Sequence, residues 1–110
     1  MKTAELTGAA LDWAVAKCEG HEPHHYGGVI RTTMRGVFGP ECHYSTDWAQ
    51  GGPIIEREIF SLSDDGAQWI AESHNCMGYG PTALIAAMRC YVASRLGDEV
   101  EIPNELLEAA

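Results

Sequence analysis

The residues best suited to chemistry are cysteines and histidines in the first part of the chain. Cys18 and His21 are separated by two residues, and His24 and His25 follow closely. Thiolate and imidazole groups at such spacing bind zinc in tetrahedral sites. No second pair at matching spacing follows, and Cys18 also continues the apolar face of a predicted helix, where a thiol packs as a small apolar group. We therefore predict no resident metal, with Cys18 and His21 as the only candidate ligands.

A second set, Cys42, His43 and Asp47, has the residue types of a nucleophile, a base and a group that orients the base. Neighbours in sequence are poor candidates for such a triad, because catalytic groups meet in space rather than along the chain. The chain also lacks the Gly-x-Ser-x-Gly turn that presents a nucleophilic serine. We therefore predict a protein that is not an enzyme and needs no cofactor.

Two glycine-containing stretches have the residue types of an anion site. Gly51-Gly52-Pro53 and Gly80-Pro81-Thr82 each stand where a helix is predicted to begin, and the free N–H groups of a helix start bind anions. Neither a Walker loop nor a Gly-x-Gly-x-x-Gly turn is present. We favour ordinary turn and cap geometry as the explanation of both stretches.

Aromatic residues in predicted loops form the last candidate group. Tyr44, Trp48 and Tyr79 could line a ligand pocket or a partner surface. The competing interpretation, which we favour for Trp48, is that its ring covers the core beneath the loop. A tryptophan buries a large apolar area wherever it can.

Helices are predicted near both ends of the chain. Thr7 is suited to cap the first helix, with Leu6 and Leu11 as a hydrophobic staple, and Gly20 ends it. The second helix has Pro81 in its first turn and ends at Gly97. Its apolar stripe, at a period of 3.6 residues, consists of Leu84, Ile85, Met88, Val92 and Leu96. Residues 98–110 are predicted to form an acidic tail that is flexible or carries a single turn.

The middle of the chain has strand and turn signals. Gly28–Arg35 is rich in β-branched residues, and Ile59–Ser63 and Gln68–Ser73 flank the turn residues Asp64–Ala67 as a hairpin. Ser45–Glu58 contains Gly51-Gly52-Pro53 and is predicted to form short helical turns. These elements predict an α+β fold: two helices on a small three-stranded, mostly antiparallel sheet, in the order α-β-(short helical turns)-β-β-α.

Length and charge narrow the function classes. The 110 residues fit one domain spanning 1–110, and the 7 basic and 16 acidic side chains give a net charge of -9. Nucleic-acid binding is disfavoured, because the basic residues are scattered and phosphate neutralisation supplies most of that affinity. The order helix, three strands, helix also occurs in double-stranded RNA-binding domains, but those need a basic surface. No signal peptide or membrane span is predicted, which favours a cytoplasmic protein with reduced thiols.

Three blocks of the chain resemble the NinX-like family of phage proteins. They are ELTGAALDWAVAKCEG (5–20), TDWAQGGPIIERE (46–58) and GPTALIAAMRCYVASRLGDEV (80–100). The resemblance implies a protein encoded by tailed bacteriophages or prophages, often among accessory genes, that works in the host bacterial cytoplasm. The family implies no established activity, and residues 21–43 have no part in the resemblance.

We therefore expect a non-enzymatic accessory protein that binds or sequesters a host component. Two alternatives stay open: a sponge for a nucleotide second messenger, with Arg57 or Arg89 on a phosphate, and an acidic domain that blocks a basic host surface. The partner is thus a host protein or a small nucleotide, and a homo-oligomer is compatible with the Ala-rich second helix. The residues predicted to bind are Asp47, Trp48, Gly52, Pro53, Glu56, Arg57, Thr82 and Arg89.

Overall fold

The computed structural model describes residues 1–26, 29–34, 37–59, 61–104 and 106. After a short 3-10 turn at Thr3–Glu5, the elements in chain order are α1 (Gly8–Cys18), β1 (Glu22–Tyr26), β2 (Val29–Met34), β3 (Val37–Glu41), α2 (Trp48–Glu58), β4 (Ser61–Asp64), β5 (Trp69–Glu72), β6 (Met77–Gly80) and α3 (Ala83–Leu96). The α+β class is confirmed. The predicted strand at Gly28–Arg35 is β2, although Gly28 and Arg35 themselves lie outside the described residues.

The strands form two antiparallel sheets rather than the one predicted. One has the order β1-β2-β3 and the other β4-β5-β6, so each is a three-stranded meander. Helix α1 packs on β1 and β2, whereas α3 packs on the second sheet, and the two helices also pack against each other. The strands missed in the sequence are β1, β3 and β6, whose proline and glycine residues lower the usual strand signal.

The hairpin predicted around Asp64–Ala67 is confirmed. Strands β4 and β5 pair in register, with Leu62 opposite Ala71. The Asp64 carboxylate accepts a hydrogen bond from the Gly66 amide at 2.8 Å, and Gly66 has a φ of 94°, which favours glycine. The Asp65 carboxylate accepts from the amides of residues 67 and 68, and these bonds lower the pKa of Asp65.

Helix α3 is the element against which most of the molecule packs. It contacts β4, β5 and β6, α1, α2 and the 3-10 turn. Its buried residues therefore extend beyond the predicted stripe and include Ala86, Cys90 and Tyr91, whereas Leu96 is 41% exposed. The predicted end at Gly97 is confirmed, but Pro81 precedes the helix, whose N-cap is Thr82.

Two glycines let α3 lie directly on β6. Gly78 and Gly80 face the helix, and the side chains that alternate with them, Met77 and Tyr79, are exposed. A Cβ atom at Gly78 would overlap the Ala86 carbonyl oxygen and lie 2.5 Å from the Cys90 amide nitrogen. A Cβ atom at Gly80 would lie 2.9 Å from the amide nitrogen of residue 86. The backbones can approach this closely only without side chains on that face of the strand.

Residues 48–58 form one continuous helix, so the prediction of short turns there is wrong. The Asp47 carboxylate caps it by accepting from the Ala49 amide at 2.9 Å. Gly51 lies against α3, where its missing side chain is required for the contact, and Pro53 sits inside the helix. Ile54 is buried. Tertiary packing therefore stabilises the helical conformation of a segment whose intrinsic helix propensity is poor.

Both ends of the described chain are tied to the fold. Leu6 and Leu11 are fully buried, as the predicted staple requires. Thr7 occupies the predicted N-cap position of α1, but its side chain makes no capping hydrogen bond. The Thr3 hydroxyl donates to the Gly97 carbonyl oxygen at 2.6 Å. Val100, Ile102 and Leu106 are buried, so this part of the expected tail packs against the core. Residues 105 and 107–110 lie outside the described residues.

The contact between α3 and β6 predicts the effect of Gly78→Ala. The added methyl group has to push the helix backbone away, so we expect the free energy of unfolding to fall by about 1–3 kcal/mol in urea titrations. Tyr79→Thr is the matched control, because it alters the neighbouring, solvent-facing position and keeps a good strand former; it should change stability by about 0.5 kcal/mol or less. Equal effects of the two substitutions would contradict the close approach.

The adjacent glycines of α2 should respond in opposite directions to alanine. A Cβ atom at Gly51 would lie 2.5 Å from the Tyr44 carbonyl oxygen and 2.6 Å from a Leu84 methyl carbon, so Gly51→Ala should cost about 1–3 kcal/mol. At Gly52 the nearest atom is a Trp48 ring carbon at 3.9 Å. Gly52→Ala should therefore stabilise by about 0.5–1 kcal/mol, since alanine loses less conformational entropy in a helix. Denaturant unfolding of the two variants side by side tests the sign of each.

Candidate functional site

A groove forms where the first turn of α2 approaches the start of α3. We call it the Trp48 groove, and its volume is about 370 Å³. The Trp48 side chain is 55% exposed at its edge, so the expectation that this ring covers the core is wrong. Residues from three parts of the chain line it, among them Thr46, Trp48, Trp69, Pro81, Thr82 and Ile85. The groove is thus mostly apolar, with hydroxyl groups among its lining residues.

A buried carboxylate anchors the segment that leads into this groove. Asp12 on α1 is 5% exposed and accepts a hydrogen bond from the Ser45 amide at 2.8 Å. Burial raises the pKa of the Asp12 carboxyl, because it disfavours the charged form, and the bond from Ser45 opposes the rise. Gln50 adds a second anchor, since its amide oxygen accepts from the His43 amide at 2.6 Å and its amide nitrogen donates to the Glu41 carbonyl oxygen at 2.8 Å.

Arg57 belongs to a different structure, an ionic cluster at the far end of α2. Its guanidinium group lies 2.7 Å from the Glu19 carboxylate and 2.8 Å from the Glu58 carboxylate. Tyr91 donates its hydroxyl proton to Glu19 at 2.5 Å, and Arg95 reaches Glu58 at 3.3 Å. The two carboxylates raise the pKa of Arg57. Its charge is therefore already neutralised within the protein, and it joins the ends of α1 and α2 to α3.

Arg89 lies in a third place. Its Nε donates to the Leu6 carbonyl oxygen at 2.9 Å and its Nη1 to the Tyr79 carbonyl oxygen at 2.8 Å. It lines a pocket of about 240 Å³ that shares no lining residue with the Trp48 groove. Arg89 thus holds the edge strand β6 and the N-terminal segment to α3.

The structure brings together only some of the predicted binding residues. Trp48 and Thr82 line the same groove, with Asp47 beside them, although the Thr82 hydroxyl is engaged in capping α3 through the Ile85 amide at 3.1 Å. Gly52 and Pro53 lie inside α2 rather than at a helix start, which removes the anion site expected there. The remaining predicted residue of this helix, Glu56, is exposed.

The cysteine and histidine residues do not converge among the residues described. No group of three or more histidine, cysteine or acidic side chains in this part of the chain could hold a metal ion. Cys18 is partly buried at the end of α1, and burial raises its pKa to about 12. Cys42 is buried with a raised pKa, whereas the neighbouring His43 is exposed and its Nε2 lies 2.9 Å from a Glu41 carboxylate oxygen. The thiol and the imidazole of the suggested triad are therefore directed to different surroundings.

Sequence reasoning missed several residues that line the two pockets. Trp69 and Ile85 belong to the Trp48 groove, but each was assigned to a strand or helix face. Met77 borders the Arg89 pocket from β6, a strand that the sequence did not predict, beside Tyr79, which the sequence did indicate as a candidate pocket residue. The alternation Met-Gly-Tyr-Gly was the available signal, because two glycines on one face indicate a close neighbouring backbone.

The Asp12 anchor predicts a pH-dependent effect. Asp12→Ala leaves the buried Ser45 amide without its acceptor and should cost about 1–3 kcal/mol of unfolding free energy. Asp12→Asn keeps an acceptor oxygen and cannot ionise. Because the folded-state pKa is raised from 3.8, the wild-type contribution is largest below that value and is lost as the pH rises through the folded-state pKa.

Urea titrations of wild type and Asp12→Asn across this range therefore test the anchor. Wild-type stability should fall relative to that of the Asn variant as the pH rises. A difference between the two proteins that does not vary with pH would show that the carboxyl titrates normally in the folded state.

Among the described residues, no helix has the length and apolar character needed to cross a membrane.

The similarity of this chain to known proteins extends over most of its length. A comparison with curated proteins found no match. The profile of the family described as "Bacteriophage P22, NinX" matches residues 2–95, which include α1, α2, both sheets and all of α3 except its last residue. The resemblance noted in the sequence is therefore confirmed, and the chain belongs to the bacteriophage NinX family.

Proposed function

We propose that this phage protein is a non-catalytic binding module that docks onto a host protein in the bacterial cytoplasm through the Trp48 groove. The exposure of Trp48 is the observation that carries the proposal. A ring that is 55% exposed contributes little to the core, yet it is held on a capped helix beside an apolar groove. Tryptophan side chains in such positions are frequent anchors of protein interfaces.

The construction of the groove supports a preformed binding surface. The segment before α2 is fixed by Asp12, and the helix itself is fixed by Gly51 against α3. A rigid surface loses little conformational entropy on binding, which improves affinity for a given contact area. Trp48 can therefore meet a partner without a prior rearrangement of α2.

The charge of the chain indicates the kind of partner. The net charge is -9, and two exposed carboxylates belong to α2 and its N-cap: Asp47, directly before Trp48, and Glu56, near the other end of the helix. A partner segment with an apolar side chain flanked by basic residues matches both features, because opposite charges accelerate encounter and set orientation. In this form the proposal unites the binding module with the acidic domain that blocks a basic host surface.

A nucleotide sponge has less support at this groove. A base could stack on Trp48, but the two arginines expected to meet its phosphate lie elsewhere. Arg57 is paired with Glu19 and Glu58, and Arg89 lines a separate pocket.

The test begins with the partner itself. A photoreactive p-benzoylphenylalanine replaces Thr46, which lines the groove and leaves Trp48 intact, and cross-linked host proteins are identified from phage-infected cells. The dissociation constant for the purified partner is then measured with wild type, Trp48→Ala and Leu96→Ala. We expect Trp48→Ala to weaken binding about 30-fold or more, as loss of an interface anchor does. Leu96, also an exposed apolar residue, lies outside the groove and should change binding less than about twofold.

Three results would overturn the proposal. The first is equal binding by wild type and Trp48→Ala. The second is cross-linking only to a second copy of this chain, which would identify a self-association face. The third is a melting-temperature increase with cyclic nucleotides that Trp48→Ala abolishes, which would identify a nucleotide ligand.

A further inference from the structure

The pocket around Arg89 has a different composition from the Trp48 groove. We call it the Arg89 pocket; it has a volume of about 240 Å³ and lies between β6, α3 and the N-terminal segment. Met77 and Tyr79, which are 50% and 43% exposed, provide its apolar border, and Ala93 of α3 contributes a small side chain. A dry cavity of about 150 Å³ holds benzene, so this pocket has room for a ring with a small substituent.

Arg89 brings to this pocket a positive charge that forms no ion pair with the described residues. Its hydrogen-bond acceptors, the carbonyl oxygens of Leu6 and Tyr79, are neutral and accept from Nε and Nη1. Among the described residues, Nη2 makes no hydrogen bond and no carboxylate pairs with the guanidinium group. This differs from Arg57, whose charge two glutamates neutralise. A partly buried cation without a counter-ion favours the binding of an anion.

Asp98 and Glu99 also line the pocket, and their formal charges balance those of Lys2 and Arg89. Among the described residues, however, neither carboxylate forms an ion pair with Arg89. Burial lowers the pKa of Arg89, because it disfavours the charged form. Lys2 also lines the pocket and adds a second, exposed cation.

We propose that the Arg89 pocket binds a small organic anion, a carboxylate or a phosphate monoester carried on an aromatic or apolar body. The anionic group meets the free Nη2 of Arg89, and the apolar body lies against Met77 and Tyr79. The Arg89 pocket is separate from the Trp48 groove, so this proposal does not depend on the proposed docking function.

The experiment measures binding of three related probes to the full chain by titration in ¹H–¹⁵N NMR spectra, with the amides of Gly78 and Tyr79 as reporters. Phenylacetate and phenyl phosphate carry the two anionic groups, and 2-phenylacetamide is the neutral isostere. We expect saturable chemical-shift changes with at least one anion. The neutral amide should bind at least about tenfold more weakly, because it cannot form the charge-assisted hydrogen bond. The stronger of the two anions identifies the preferred group.

Two variants locate the binding. Arg89→Gln removes the charge and should weaken the anion about tenfold or more. Because it also alters the bonds to Leu6 and Tyr79, Ala93→Leu is tested beside it; this change fills the pocket, keeps Arg89 and suits a helix. Arg31→Gln is the control for net charge, because Arg31 pairs with Glu41 away from the pocket.

The outcomes separate clearly. Loss of anion binding in Ala93→Leu and Arg89→Gln, with Arg31→Gln unchanged, supports the proposal. Equal binding of the amide, unchanged binding in Ala93→Leu, or no saturable shift with either anion would overturn it.

Discussion

The close contact between α3 and β6 is the constraint on which the rest of this structure depends. Gly78 and Gly80 place no side chain between β6 and the helix, and the helix residues that lie against Gly78 are Ala86 and Cys90. Packing at this distance fixes both the height and the rotation of α3 over its sheet. Since α1 and α2 pack on other sides of the same helix, their positions follow from that contact. Residues of α3 line both the Trp48 groove and the Arg89 pocket, so the position of this helix determines the shape of both.

Helix α2 shows how tertiary contacts can stabilise a helix of low intrinsic stability. Two glycines and a proline give it poor intrinsic stability, and proline removes one backbone hydrogen bond. It persists because Asp47 caps it, Ile54 is buried and Gly51 fits against Tyr44 and Leu84. These contacts leave the side of the helix that carries Trp48 without a protein neighbour over half of the ring. The contacts that secure α2 therefore do not involve the exposed part of the Trp48 ring.

The arginines of this acidic chain show how neighbouring groups determine whether the charge of a side chain is neutralised. Arg57 and Arg95 lie 5.8 and 5.5 Å from the Tyr91 ring centroid and pair with carboxylates, so they close the interface among three helices. Arg89 donates to neutral carbonyl groups and, within the part of the chain that the structure describes, pairs with no carboxylate. The sequence alone gives Arg57 and Arg89 similar prospects as ligands for an anion, because it does not show which carboxylates reach them.

The sequence by itself determined those features that depend on near neighbours. Caps and stops at Thr7, Gly20 and Gly97 bound the two terminal helices, and Asp65 with Gly66 sets the hairpin turn, because such signals act within a few residues. The three blocks of family resemblance likewise lie in the sequence itself.

Only the tertiary structure decided the number of sheets, the continuity of α2 and the exposure of Trp48. Each follows from contacts between distant segments: Gly78 with α3, Gly51 with Leu84, and the α2 start with residues 81–85. Propensity is a weak term of tenths of a kcal/mol to about 1 kcal/mol per residue, whereas packing and burial contribute more at each such contact. For that reason local patterns located the ends of the helices, whereas long-range packing determined which side chains are exposed.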